Sequence, residues 1–339
     1  MNGNFHNSQM PLITVGIPAY NHEKYVEESI RSVLEQDYPR IELLVVDDAS
    51  PDKTWEIIKS LQDECEEKCE RVIFDINETN QGTCFSLNKL KNNCRGDFFI
   101  LMASDDKLLP GALSALIKPM LLDERIGVVV GQNQIIDSDS RRCFWDANRN
   151  NIYTEKGAAY KTFNGFLEAT TGIKENSPLY GKYESLLKAN HIPNGYLMRF
   201  SELIKIPSFS SDAPLEDHWL HLQLSKITAY KAIPNDVFSY RWHNANTVHQ
   251  TSRMMWMDFK TREYEKRMVL KKNEEPWARI FLENEFTNQL IFSIPKIIRC
   301  VRISNYKSSY IEISFFKIKI KVRKHILKID DSKKSAYWS

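Results

Sequence analysis

Short apolar runs alternate with longer amphipathic stretches through the first half of the chain. Parallel strands separated by crossover helices produce that pattern, so the sequence points to an α/β architecture before any motif is considered. Residues 12–18 read as a first strand, and 23–35, with Val26, Ile30, Val33 and Leu34 on one face, as the helix that returns the chain. Further strands are expected at 41–46, 71–76, 97–102 and 126–136. Helices are expected from Thr54, over 82–93 and after Pro110. Beyond residue 140 the periodicity breaks down, and 148–183, rich in Asn, Thr, Gly and Lys, reads as a loop-rich insertion on the substrate side.

An open α/β sheet binds its ligands at the carboxyl ends of its strands. Those ends are acidic here. The first strand runs out in Pro18-Ala19-Tyr20-Asn21, the second in Asp47-Asp48 and the fourth in Ala103-Ser104-Asp105-Asp106. Carboxylates gathered on one edge repel one another unless a cation lies between them, and oxygen ligands suit Mg2+ or Mn2+ carrying a phosphate group. Neither GxGxxG nor GxxxxGK[ST] occurs, so a glycine cradle for phosphate is not expected. A plainer reading stands beside this one: Asp47-Asp48-Ala49-Ser50 as a capped turn into a helix, and Asp105-Asp106 as a solvated pair before the next helix.

The string ITVGIPAYNHEKYVEESIRSVLEQDYPRIELLVVDDASPDKT, residues 13–54, resembles the start of a family 2 glycosyltransferase of GT-A fold. Later motifs follow in that family's order: Asn80-Gln81-Gly82 with Asn88, residues 101–106, Leu215-Glu216-Asp217-His218, and Tyr240-Arg241-Trp242-His243-Asn244-Ala245-Asn246-Thr247. The resemblance implies a GT-A type, Rossmann-like mixed sheet flanked by helices over residues 1–250, then a small, mostly helical C-terminal appendage over 251–339. It also implies metal-dependent, inverting transfer of a sugar from a nucleotide sugar, expected to be UDP-linked, to a hydroxyl of a glycan or lipid-linked oligosaccharide.

Site roles follow from the same resemblance. Pro18, Ala19, Tyr20, Asn21 and Asp48, with Asp47, would hold the nucleoside; Asn80, Gly82, Asn88 and Ser104 would line the donor. Asp105 would carry Mn2+ or Mg2+, with Asp106 and His243 beside it, while Arg241 and His243 would stabilise the departing diphosphate. Asp217 would be the general base and Glu216 would orient the acceptor. Two positions depart from the family: Ala103, where relatives commonly have Asp, and Leu87, where they often have Arg. His6, His22, His191 and His325 read as structural. Two rivals remain. A sugar-phosphate nucleotidyltransferase would want a Gly-rich basic loop after the first strand, and a sugar-binding module without turnover would be expected to lack Asp217 or His243.

Charge separates the tail from the rest. Lys+Arg of 46 against Asp+Glu of 44 leaves +2 overall, which argues against a nucleic-acid partner. Residues 296–334 nevertheless carry 12 Lys/Arg against three acids, and 316–323 alternate apolar with basic residues. Such a segment suits either an anionic membrane surface or a solvated edge strand. Stretches 252–272 and 276–294 read as amphipathic helices packed through Trp256, Phe259, Phe281, Phe286 and Leu290. The polar first ten residues do not form a secretory signal, so a cytoplasmic protein, peripheral at the inner membrane face, is expected. The six Cys lack paired metal-ligand spacings and read as reduced.

Overall fold

The computed structural model describes residues 10–272, 274, 276–284, 302–304, 310–315 and 318–323. Ten strands build one sheet: β1 (Ile13–Ala19), β2 (Ile41–Asp47), β3 (Arg71–Ile76), β4 (Phe98–Leu101), β5 (Lys107–Leu108), β6 (Ile126–Ile136), β7 (Arg142–Trp145), β8 (Asn151–Ile152), β9 (Leu197–Arg199) and β10 (Ala229–Arg241). The main path runs β3-β2-β1-β4-β9-β6-β10-β5, with β7 and β8 attached at β6. β1 pairs in parallel with both β2 and β4, whereas β9 enters antiparallel between β4 and β6. This is the mixed, helix-flanked sheet expected.

Every residue of β2 is buried because both faces of the sheet are covered. Leu43 and Val45 face a layer formed with Val26, Ile30 and Val33, the apolar stripe of the helix Val26–Leu34. Leu44 and Val46 face the other layer, with Leu87, Leu90, Trp219 and Leu220. Leu87, the departure from the family pattern, is thus a core residue, 3% exposed. Gly16 is required by packing: a Cβ there would lie 2.5 Å from the Phe99 ring.

The segment after residue 140 is largely loop, as its composition suggested, but part of it is firmly packed. Trp145 is fully buried, with its ring 4.7 Å from Trp242 and 5.4 Å from Phe166, centroid to centroid, and Phe163 stacks on Tyr240 at 4.2 Å. An aromatic cluster therefore docks the β7–β8 hairpin and the helix Phe163–Thr171 onto the end of β10. Its residues follow neither helical nor strand period, which is why the sequence read as loop.

The chain divides into two compact units between Phe281 and Leu282. The helix Thr251–Lys271 belongs to the first, where Glu265 is buried and accepts from Tyr183 Oη and Gln223 Nε2, both at 2.6 Å. Phe281 is buried as expected, but Trp256 and Phe259 are 54% and 60% exposed, so they lie on the solvent side of their helix rather than in the core. Phe286 and Leu290 lie outside the described residues. In the second unit, β11 (Arg302–Ser304), β12 (Tyr310–Phe315) and β13 (Ile318–Arg323) form an antiparallel meander. Among the described residues no helix is long and apolar enough to cross a membrane.

Candidate active site

Three chain segments converge where β1, β4 and β10 end. Asp105, just past β4, receives His243 from the loop after β10: His243 Nε2 lies 3.1 Å from Asp105 Oδ2. His22, from the loop after β1, approaches the same oxygen at 3.8 Å through Nε2, while its Nδ1 lies 2.7 Å from Ser104 Oγ. One ligand atom from each of His22, Asp105 and His243 can be chosen so that all lie within 4.8 Å of one another, a donor set that fits a divalent cation. Burial alone would raise the Asp105 carboxyl, but the His243 hydrogen bond and the two imidazoles outweigh it and hold the group below the usual range. Burial pushes the His22 imidazole down, against the pull of the Asp105 charge.

Asp106 is placed differently. Its Oδ1 accepts the Arg241 backbone N–H at 2.8 Å and its Oδ2 accepts from Asn194 Nδ2 at 3.3 Å. Burial, reinforced by the charge of Asp105, drives its carboxyl well above the usual range, toward the neutral form. It lies outside the cation cluster, so the expected pairing of Asp106 with the metal is not what this geometry offers. Arg241 is likewise committed to the protein. Only 1% exposed, it donates to Asp105 O, Ser140 Oγ and Glu28 Oε2 and lies 4.8 Å above the Tyr25 ring. It braces the Asp105-Asp106 turn instead of presenting a free guanidinium to a leaving diphosphate. Beside His243 a cleft of about 640 Å³ opens, walled by Tyr25, Arg149, Asn150, Trp242 and His249.

At the end of β2, Asp48 closes a clasp. Its Oδ1 accepts from Asn77 Nδ2 at 2.7 Å and the Gln81 N–H at 2.8 Å, and its Oδ2 accepts the Gly82 N–H at 2.7 Å. Asn80 and Gly82 sit on the loop so held, and Gly82, at φ +83°, admits the chain to the helix Thr83–Asn93. Asp47 binds the Ser50 N–H at 2.9 Å and its hydroxyl at 2.5 Å, and burial raises its carboxyl. Past Pro18 and the buried Ala19, Tyr20 is 45% exposed, and Asn21 turns with φ +56° while donating its N–H to Ser50 Oγ at 2.9 Å. Asn88 does not face this loop's ligand side. Its amide makes two 2.9 Å bonds to the Phe209 backbone and so positions the segment leading to Glu216.

Glu216 and Asp217 open the helix Glu216–Leu224, where two negative charges favour the dipole. Asp217 accepts the His218 N–H at 2.6 Å and Asn190 Nδ2 at 3.1 Å. Burial, with the neighbouring Asp217 charge, pushes the Glu216 carboxyl up to about 7. Asn190 and Asn194 thus link Asp217 to Asp106 through one short segment. Sequence reading missed both asparagines, which lie in a stretch without periodicity. It also assigned His22 a structural role, although its place directly after β1 was a signal. His191, in contrast, is buried and accepts the Gly181 N–H at 3.1 Å, a structural position; His6 and His325 lie outside the described residues.

Residues 14–174 match the model of glycosyl transferase family 2. Over that stretch the chain is similar to members of that family. It is 34% identical to an uncharacterized glycosyltransferase of Haemophilus influenzae over 42% of this chain and 52% of that protein. It is 32% identical to the Campylobacter jejuni GalNAc(5)-diNAcBac-PP-undecaprenol beta-1,3-glucosyltransferase over 32% of this chain and 34% of that one. These alignments span about half or less of either relative. Among solved structures, a Pyrobaculum calidifontis mannosyltransferase in complex with GDP-Man and Mn2+ aligns with TM-score 0.53 at 17% identity, covering 85% of this chain and 78% of that one. Residues 1–349 of S. aureus TarS, in complex with UDP-GlcNAc, align with TM-score 0.51 at 15% identity over 91% and 98% of the two chains. At such identities the likeness establishes the GT-A type fold.

Proposed function

We propose that this protein transfers a sugar from a nucleotide sugar, UDP-linked, to a hydroxyl of a glycan or lipid-linked oligosaccharide, with inversion. The observation that carries the reading is the shared wall from Asn190 to Asn194, which ties the Glu216-Asp217 pair to the Asp105-Asp106 turn. A carboxylate for the acceptor and a cation for the donor would then be held by groups that share this segment. The two solved neighbours are complexed with nucleoside diphosphate sugars, and the Campylobacter relative is named for an undecaprenol-linked acceptor, which supports the substrate classes.

Asp105 and His243 would hold the cation, which supplies positive charge to the donor diphosphate when bound. Asp48 would act by shaping the loop of Asn80 and Gly82 around the nucleoside. Arg241 fixes the turn that aims Asp105. Asp217, held by Asn190, takes the proton of the attacking hydroxyl, and Glu216, protonated below about pH 7, keeps the pair from carrying two charges. The basic segment 296–334 would meet an anionic membrane surface, as suits an enzyme with a lipid-linked acceptor.

The deciding experiment is Asp217→Asn. It preserves shape, so calorimetric UDP affinity should stay within about twofold while turnover falls about 100-fold or more. Transfer at the wild-type rate would remove Asp217 from the chemistry and leave Glu216 as the base.

A further inference from the structure

Ala103 has no side-chain ligand to offer, and Asp106 is turned into the protein with both oxygens engaged. The cation site described above therefore has one carboxylate from the strand-four turn. His22 fills the gap from the other side. Its backbone N–H is pinned to Thr54 Oγ1 at 2.8 Å, and its ring is held by the 2.7 Å contact between Nδ1 and Ser104 Oγ. With Nδ1 so held, Nε2 is directed at Asp105 Oδ2, 3.8 Å away, a spacing into which an ion can be drawn. An imidazole whose far nitrogen is fixed by a hydrogen bond is the usual arrangement of a metal-binding histidine.

We propose that His22 is a metal ligand, and that the resulting set of two imidazoles and one carboxylate selects Mn2+ over Mg2+ and holds it without nucleotide. Nitrogen ligands decide the preference. Mg2+ demands small octahedral oxygen cages and retains its water, whereas imidazole suits the later divalent ions and is tolerated by Mn2+. The proposal rests on the cation reading of this site, but not on sugar transfer.

The test uses the full chain with no nucleotide present. Titration with Mn2+ alone and Mg2+ alone, read by calorimetry, should give a dissociation constant for Mn2+ about tenfold or more below that for Mg2+. His22→Ala should raise the Mn2+ constant about tenfold or more, and Asp105→Asn should abolish the site. Electron spin echo spectroscopy of Mn2+ on the wild-type protein should count two coordinated imidazoles, a readout that stands even where a variant fails to fold. A single imidazole, equal affinities for the two ions, or unchanged Mn2+ binding by folded His22→Ala would each overturn the proposal. Normal Mn2+ binding by a protein that transfers no sugar would instead defeat the functional reading and leave this one intact.

Discussion

Two Asp-Asp pairs close strands on the same edge of the sheet, and they meet different fates. After β2, Asp48 is surrounded by donors from its own chain, the amides of Gln81 and Gly82 and the side chain of Asn77. After β4, Asp105 meets two imidazoles delivered by separate loops. The first arrangement satisfies a carboxylate with neutral donors and so builds a loop. The second places groups that can also bind a metal around one oxygen, so it can exchange hydrogen bonds for an ion. Identical dipeptides thus differ in their surroundings because of what the topology brings to them, not because of their own chemistry.

The strongest way to break this contrast is to neutralise each partner. Asp105→Asn should lower sugar transfer about 100-fold or more, as loss of several kcal/mol of charge stabilisation requires, and make nucleotide affinity insensitive to EDTA. A variant with near-normal turnover would place the cation elsewhere. Asp48→Asn should leave Mn2+ affinity unchanged but cost on the order of 2 kcal/mol in urea denaturation, because the charge-assisted bonds to Gln81 and Gly82 are weakened. A loss of UDP affinity at undiminished stability would make Asp48 a direct ligand of the base instead of a clasp.

A third acidic pair lies between these extremes. Burial, with the Asp217 charge, raises the Glu216 carboxyl from an ordinary value near 4.5 to about 7. Between those values the folded protein keeps a proton that the unfolded chain releases, so stability declines as pH rises through the window, and the cost is full above it. Glu216→Gln removes that dependence. Unfolding midpoints at pH 4 should barely change, while at pH 8 the variant should be more stable by on the order of 2 kcal/mol. Equal effects at both pH values would mean that Glu216 is solvated and not under strain from its neighbour.

Much of this was legible from residue order. β2, β3 and β6 were evident as apolar runs, and the buried face of Val26–Leu34 as a helical spacing. The short strands β5, β8 and β9 were not. A two- or three-residue strand exists only through its partners, and β9 depends on β4 and β6 on either side. The site divides in the same way. Asp105, His243 and Asp217 sit in motifs, whereas Asn194 matters because it reaches Asp106, 88 residues earlier in the chain. His22 is an intermediate case: its place directly after β1 was a cue, but only the convergence of the β1 and β4 loops gives its side chain a partner.

The finest test of the comparison lies within one dipeptide. Asp105 and Asp106 are adjacent, yet imidazoles hold one carboxyl low while burial and its neighbour drive the other well up. If Asp106 is already neutral in the folded protein, Asp106→Asn replaces one uncharged group by another of the same shape. Its oxygen still accepts the Arg241 N–H, and rotation of the Asn194 amide restores the second contact. Stability should therefore change by less than about 1 kcal/mol, and Mn2+ affinity should stay within about twofold. The same substitution one residue earlier should abolish Mn2+ binding. Should Asp106→Asn instead abolish Mn2+ binding, Asp106 would be an ionised ligand, and the division of labour drawn here between the two carboxyls would be wrong.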